Sequence, residues 1–279
     1  MRFVERLTWV ECAMAVLQVV CCAQERAAGA KPGEAGVKDD VVDTILTRLE
    51  GRKIDDLHAK VVWESKYALE EDKDATKLLG EIWYRDEQPV AKFKVHFDYK
   101  ITGNRKEKYN EQHLFDGRWY TELNAEKSKV ITKHEMRRET DTSNPYKIGE
   151  GSFPVPFGQK KADILAEFEV SRTPAAADDP ENTDHLRLIP RPGTNTSQSY
   201  KWVDFWVARE GKQSGLPVKV RTAKKDPNGA VNSTITVTFS DPELNTGLSG
   251  SIFKIETPPG FEISVEPLDA VDGKSKKAG

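Results

Sequence analysis

The chain has 279 residues, of which 37% are hydrophobic and 31% are charged, and it contains six Trp, seven Tyr and eleven Phe residues. This composition excludes a disordered polymer, and a content of only 19 glycines excludes a collagen-like chain. Lysine and arginine number 42 against 45 aspartates and glutamates, and a formal net charge of −3 disfavours a protein that binds nucleic acid.

The first 23 residues have the pattern of an export signal. Two arginines supply positive charge near the start, residues 12–22 are mostly apolar, and Ala23 ends a run of small residues that suits signal peptidase. The apolar stretch is shorter than the roughly 20 residues that a stable bilayer-spanning helix needs. The sequence therefore predicts a periplasmic protein that is released by cleavage after Ala23. Lipid anchoring on Cys21 or Cys22 and an uncleaved anchor are the alternatives.

The chemistry that the sequence lacks narrows the function further. All three cysteines (Cys12, Cys21 and Cys22) lie within the predicted signal, which excludes a disulfide framework or a thiol nucleophile in the rest of the chain. The five histidines have no zinc-ligand spacing, and there is no phosphate-binding loop, dinucleotide-binding glycine motif or GxSxG elbow. The sequence thus predicts no metal, no cofactor and no catalytic residue, so we expect a protein that is not an enzyme.

Two short helices are predicted, after a flexible lead-in over residues 24–38. The first has apolar residues at positions i, i+3, i+4 and i+7, which form one stripe. These residues are Val42, Ile45, Leu46 and Leu49. The second is predicted near 160–168, where Ile164, Leu165 and Phe168 are apolar. Helices of this length are not stable alone, so each must lie on an apolar surface.

Most of the remaining chain is predicted to form antiparallel strands. In residues 91–99, Phe93, Val95 and Phe97 alternate with polar residues, which is typical of a half-buried strand. Asp-Gly at 116–117 and Asn-Gly at 228–229 are hairpin signals. We predict ten or eleven strands, near residues 57–70, 78–86, 89–101, 105–115, 118–123, 128–136, 183–190, 200–210, 216–225, 231–240 and 250–256.

The order of these elements predicts one curved sheet. Residues 140–158 are rich in Pro and Gly and are predicted to be a loop, residues 173–184 a mobile insertion, and residues 267–279 a disordered tail. Many antiparallel strands with one polar face favour an incomplete antiparallel β-barrel of about 10–11 strands covered by short helices. We expect it to form a single half-barrel domain over residues 39–266.

The large side chains on these strands either pack as a core or line a cavity. A curved sheet of this size encloses more space than two short helices fill, so we predict that some inward side chains face a ligand. The inward candidates are Trp63, Ile82, Tyr84, Phe93, Val95, Phe97, Phe205, Val207, Ile235 and Val237. The candidates for a helical lid are Ile45, Leu46, Leu49, Ile164, Leu165 and Phe168.

Several local strings, in order along the chain, resemble those of the periplasmic outer-membrane lipoprotein carrier family (the LolA-like superfamily). The first is a Gly-acid-aliphatic-Trp string at residues 80–85, which is followed by a Pro turn, and the second is an Asp-Gly hairpin before Trp-Tyr at residues 115–120. The third is an L-x-L-x-P strand at residues 186–190. The last is a closing signature of Phe and Pro-Pro-Gly-Phe at residues 253–263.

The resemblance implies a β-sheet with a helical lid over a hydrophobic hollow that shelters the acyl chains of lipids or lipoproteins. It implies a shuttle, which we expect to be a monomer, between an inner-membrane transporter and an outer-membrane receptor. Proteobacterial members place an Arg directly before the Pro of the second-strand turn, where it tethers the lid. Gln88 has that position here, and Arg85 is the candidate tether. The alternative function is an envelope stress sensor that binds a protein partner with the same fold, and a hydrolase is disfavoured.

Overall fold

A computed structural model of the protein describes residues 40–70, 75–138, 141 and 156–268. The predicted signal peptide and lead-in, most of the predicted loop 140–158 and the tail beyond residue 268 lie outside these described residues. None of the helices in the described ranges has the length and apolar character needed to cross a membrane.

The described chain contains twelve strands and three short α-helices. The helices are α1 (Asp40–Gly51), α2 (Lys161–Glu167) and α3 (Asn195–Ser199). The strands are β1 (Asp56–Tyr67), β2 (Thr76–Arg85), β3 (Lys92–Thr102), β4 (Arg105–Phe115), β5 (Trp119–Asn124), β6 (Val130–Glu135), β7 (Phe168–Thr173), β8 (Thr183–Pro190), β9 (Tyr200–Ala208), β10 (Pro217–Lys225), β11 (Val231–Leu244) and β12 (Glu262–Glu266).

All twelve strands belong to one sheet, in the order β12-β6-β5-β4-β3-β2-β1-β11-β10-β9-β8-β7. Each strand is antiparallel to its neighbours except β12, which pairs in parallel with β6. The long pairing of β1 with β11 joins the N-terminal strands to the C-terminal strands. Because β12 and β7 are edge strands, the sheet is open, which confirms the predicted incomplete β-barrel with short helices.

One face of the sheet carries the apolar residues, and we call it the inner face. On β3, Phe93, Val95 and Phe97 are at most 2% exposed and belong to the main hydrophobic core. The four apolar residues of the α1 stripe belong to the same core, so α1 covers this face as its amphipathic pattern predicted. The predicted hairpin turns are also present, and Gly117 and Gly229 have φ values of +103° and +81° that favour glycine.

The structure differs from the predicted strands at both ends of the sheet. The predicted strand 250–256 is wrong, because Gly250–Ile252 form a 3₁₀ turn and the last strand is β12. The edge strand β7 lies where the end of a helix and a mobile insertion were predicted. The insertion is pinned to the outer face, since Trp206 Nε1 donates to Asp179 Oδ1 at 2.5 Å and Lys219 Nζ donates to the Asp178 carbonyl at 3.2 Å.

Candidate functional site

The predicted cavity residues lie together on the inner face. Nine of the ten are at most 5% exposed, and Ile235 is partly buried and packs against them. Trp63 on β1 is in register with Leu78 on β2 and with Val237 on β11, which makes the two halves of the sheet continuous. The inner face is therefore one apolar wall from β3 to β9, and we call it the apolar wall.

The lid candidates divide into two groups. Ile45, Leu46 and Leu49 of α1 are 1–6% exposed and contact the core. Ile164 of α2 is 2% exposed, whereas Leu165 is 37% exposed and points away from the wall. Phe168 is fully buried, but it is the first residue of β7 and does not belong to a helix. The α1 residues and Ile164 thus pack on the apolar wall, whereas Leu165 is a surface residue, and the role of the two helices as a lid stays a prediction.

An aromatic residue that the sequence reasoning missed sits between the lid and the wall. The ring of Phe157, just before α2, lies 5.9 Å from that of Tyr84 and 5.1 Å from that of Phe239. The next residue, Gly158, has φ +70°, and a Cβ there would lie 2.7 Å from the Tyr84 hydroxyl oxygen. The segment that leads into α2 thus packs directly on the apolar wall, and only glycine fits at this approach.

Polar contacts add to the buried apolar stripe in holding the end of α1 on the sheet. Arg48 Nη2 donates to Asp184 Oδ2 of β8 at 2.5 Å, and Arg209 Nε donates to Asp184 Oδ1 at 2.9 Å. Burial opposes ionisation of Asp184, but the bonds from the two arginines outweigh it and hold the pKa of that carboxyl below its ordinary value. Asp184 therefore stays ionised and clamps the lid helix.

The two lid helices also contact each other through a charged pair. Lys161 Nζ of α2 lies 2.5 Å from Asp43 Oδ1 of α1 and donates to Thr47 Oγ1 at 3.1 Å. The Asp43 side chain is 45% exposed, and solvent-exposed ion pairs contribute only about 0–1 kcal/mol. This charged pair between the two helices is thus weak, and α1 and α2 are held on the sheet mainly by their buried apolar residues.

The candidate tether Arg85 holds a different segment. Its Nη1 donates to the Leu248 carbonyl at 3.2 Å, its guanidinium lies 4.9 Å from the centre of the Phe253 ring, and it pairs with Glu87. Arg85 therefore fixes the segment after β11. The arginine that ties a lid helix to the sheet is Arg48, which belongs to α1 and contacts Asp184 of β8. The Arg48–Asp184 contact could not be predicted from the sequence pattern, because 136 residues separate the two partners.

A buried polar network lies on the inner face of β4 and β5, next to the apolar wall. His113 Nε2 lies 2.7 Å from Glu111 Oε1, and His113 Nδ1 lies 2.7 Å from the Tyr120 hydroxyl. Tyr109 and Asn124 donate to Glu111 Oε2 at 2.6 Å. Burial opposes ionisation of Glu111, but hydrogen bonds from His113 and Tyr109 lower its pKa below the ordinary value. The network orients the His113 imidazole between a carboxylate and a phenol.

A separate groove lies between β3 and β4, where the pairing of both strands is irregular at Phe97–Tyr99. Its volume is about 290 Å³, and it is lined by His96, Asp98, Tyr99, Lys108, Tyr109, Asn110 and Gln112. Burial and the nearby Lys94 lower the pKa of His96, whose side chain is on the polar face of β3. No predicted cavity residue lines this groove, so it is distinct from the apolar wall.

Neither the family models nor the curated proteins contain a match to this chain. Solved structures that resemble it include a DUF1329 family protein from Desulfovibrio piger (11% identity, 77% of this chain and 96% of that chain, TM-score 0.36). A LolA superfamily protein from Nitrosomonas europaea is similar at 13% identity, over 76% of this chain and 97% of that chain, with a TM-score of 0.36.

The Mycobacterium tuberculosis lipoprotein LppX also resembles the chain, at 11% identity over 74% of this chain and 98% of that chain, with a TM-score of 0.39. Proteins of the LolA superfamily are thus among the solved structures similar to this chain, as the strings in the sequence implied. At such low identity and TM-score, these structures locate no functional residue in this protein.

Proposed function

We propose that this protein binds the acyl chains of lipids or lipoproteins on the apolar wall beneath α1 and α2 and carries them between membranes in the periplasm. The observation that carries this proposal is the apolar wall itself, which is covered by two short helices through their apolar residues. Each methylene group that leaves water contributes about 0.8 kcal/mol, so an acyl anchor of a dozen or more methylenes strongly favours such a surface.

The closed arrangement requires the lid to move before a ligand binds. The wall residues Ile82, Val95 and Phe97 are fully buried by their neighbours and the lid. An acyl chain therefore replaces lid contacts, and the free energy of its burial offsets their loss. An inner-membrane transporter would deliver the chain and an outer-membrane receptor would accept it, with no chemical step in the protein.

The positions of the tryptophans allow a direct test of where an acyl chain lies. Trp63 is 4% exposed and belongs to the core of the apolar wall. Trp83, on the neighbouring strand, is on the opposite face and stacks on His58 with the ring centres 5.3 Å apart. We expect a brominated fatty acid to quench wild-type fluorescence, and expect Trp63→Phe to abolish this quenching while the matched control Trp83→Phe retains it.

Purified mature protein extracted for lipid mass spectrometry should also release acyl species. If no acyl species co-purify and neither the wild type nor the variants take up a fatty acid, the proposal is wrong. Equal quenching in Trp63→Phe and wild type would place the ligand elsewhere and would contradict binding on the apolar wall.

A second candidate function is an envelope stress sensor that binds a protein partner. The observation that favours it is the close packing of the inner face, where Phe157 fills the space between Tyr84 and Phe239. A sensor of this kind would keep its lid closed and would use an outer surface for the partner. Specific capture of one membrane protein by a variant that takes up no fatty acid would favour this function over transport.

A further inference from the structure

Arg137 is a buried cation whose hydrogen-bonding capacity is mostly unused. It follows β6, is 5% exposed and donates from Nη1 to the Gly117 carbonyl at 2.8 Å. Its Nε and Nη2 atoms are buried and have no hydrogen-bond partner. Among the described residues, no carboxylate forms an ion pair with this guanidinium, in contrast to Arg118, which pairs with Glu135 at 2.6 Å.

A charged group in this environment is costly to the folded protein. Removing an ion from water carries a penalty of several kcal/mol unless a counter-charge and hydrogen bonds compensate for it. One carbonyl acceptor satisfies a single N–H of the five that a guanidinium carries. Within the described part of the chain, no side chain supplies the group that would compensate this charge.

The unused atoms form the edge of the guanidinium that recognises oxyanions. Nε and Nη2 carry parallel N–H groups, which match the two oxygens of a carboxylate or phosphate. A second cation lies nearby, since Lys92 Cε is 3.7 Å from where a Cβ on Gly117 would be, although Lys92 also pairs with Glu87 at 2.5 Å.

The backbone next to the guanidinium lies close to the hydrophobic core. The acceptor Gly117 is in the β4–β5 turn, two residues after Phe115, which is fully buried in the core. Met136, the residue before Arg137, packs against the same core. An amphiphile whose chain lies on the apolar wall can thus bring a headgroup to this end of the sheet.

We propose that Arg137 is a binding site for the oxyanion of a carboxylate- or phosphate-headed amphiphile, which binds the Nε–Nη2 edge. The acyl part of this ligand rests on the proposed function, whereas the anion site does not. The edge is covered in this structure, so the headgroup reaches it when the covering side chains move, and binding compensates the charge of Arg137.

The test compares two ligands with the same chain length, decanoate and decanol, by isothermal titration. A charge-assisted bidentate contact contributes about 1.5–3 kcal/mol, so we expect the wild type to prefer decanoate by about tenfold or more. Arg137→Met should reduce this preference to less than about twofold, and Arg137→Lys, which keeps the charge but loses the fork, should be intermediate. Arg105→Met is the matched control, because Arg105 is 82% exposed.

A parallel melting experiment with inorganic phosphate separates a free anion from a headgroup. We expect phosphate to raise the Tm of the wild type but not that of Arg137→Met, and expect Arg137→Met to melt no lower than the wild type in buffer without oxyanions. Equal affinity of the wild type for decanoate and decanol would overturn the headgroup site and leave lipid binding intact. If neither amphiphile binds, the proposed function fails, and a phosphate effect that needs Arg137 would still support an anion site. If phosphate does not raise the Tm of the wild type, the anion site is overturned too.

Discussion

Asp184 helps to hold α1 on the sheet through a charged contact. It is 6% exposed and accepts hydrogen bonds from Arg48 and Arg209. We expect Asp184→Asn to lower the free energy of unfolding by about 2 kcal/mol, because it leaves partly buried guanidinium groups without a counter-charge. Urea unfolding of the wild type and the variant measures this change in the free energy of unfolding. Asp55→Asn is the control, since the Lys53–Asp55 pair is exposed and should contribute less than about 0.5 kcal/mol. An equal effect of both variants would contradict a clamp at Asp184.

Asp56 gives the protein a second acid-sensitive contact. Burial opposes ionisation of Asp56, but backbone N–H groups of Thr246, Gly247 and Leu248 donate to its carboxylate and hold its pKa below the ordinary value of 3.8. The carboxyl of Asp184 has a lowered pKa for the analogous reason. Both contribute stability that is fully present above the unfolded-state pKa and is lost as the pH falls through the folded-state pKa.

This linkage predicts the direction of acid denaturation. The unfolded chain binds more protons than the folded protein in this range, so the free energy of unfolding should fall as the pH is lowered from about 5 to about 3. Asp56→Asn should reduce that slope, because it removes one of the titrating carboxyls. Urea unfolding at several pH values measures the slope, and an unchanged slope in the variant would show that the Asp56 contact is not formed.

At the scale of single elements, α2 offers a comparison between adjacent residues of the same type. Ile164 is 2% exposed and Leu165 is 37% exposed. Truncation of a buried aliphatic residue costs about 2–5 kcal/mol, so Ile164→Ala should lower the free energy of unfolding by an amount in this range. Leu165→Ala should cost less than about 1 kcal/mol. Chemical denaturation of both variants decides this, and a reversed order would show that α2 presents its other face to the wall.

The strands were predictable where one face is apolar and the other polar. Phe93, Val95 and Phe97 alternate with polar residues, so β3 and its inner face followed from periodicity. The edge strands β7 and β12 were missed; Glu262–Glu266 alternates apolar and polar residues, but it is only five residues long and its Ile263 and Val265 are exposed. Edge strands depend on backbone pairing with one neighbour, which residue type records only weakly.

The candidate site was predictable only in its apolar part. Glu111 and His113 alternate with Phe115 and share its face, but β4 has polar residues on both sides, so its inner face could not be assigned from the pattern. The Asp-Gly turn that follows β4 fixes the pairing of Phe115 with Tyr120, and this register is the signal that would place His113 inside. Contacts such as Arg48–Asp184 join distant segments and leave no periodic trace.

At the scale of the whole molecule, the central claim is that the apolar wall takes up an acyl chain only when the lid moves. Arg52, just after α1, donates to the carbonyl of Lys212 in the β9–β10 connection at 2.7 Å, so these positions are close enough for a short crosslink. The chain from Gln24 onward contains no cysteine. An Arg52→Cys/Lys212→Cys double variant can therefore be joined by a cleavable thiol reagent without side reactions.

The deciding measurement is the rate at which this double variant, from Gln24 onward, takes up a fluorescent fatty acid before crosslinking, after crosslinking and after cleavage of the crosslink. We expect the double variant to take up the fatty acid before crosslinking. After crosslinking, the rate should be no higher than that of a protein-free control, and cleavage of the crosslink should restore the uptake rate. Uptake at the same rate in the crosslinked form, or no uptake in any form, would contradict the account.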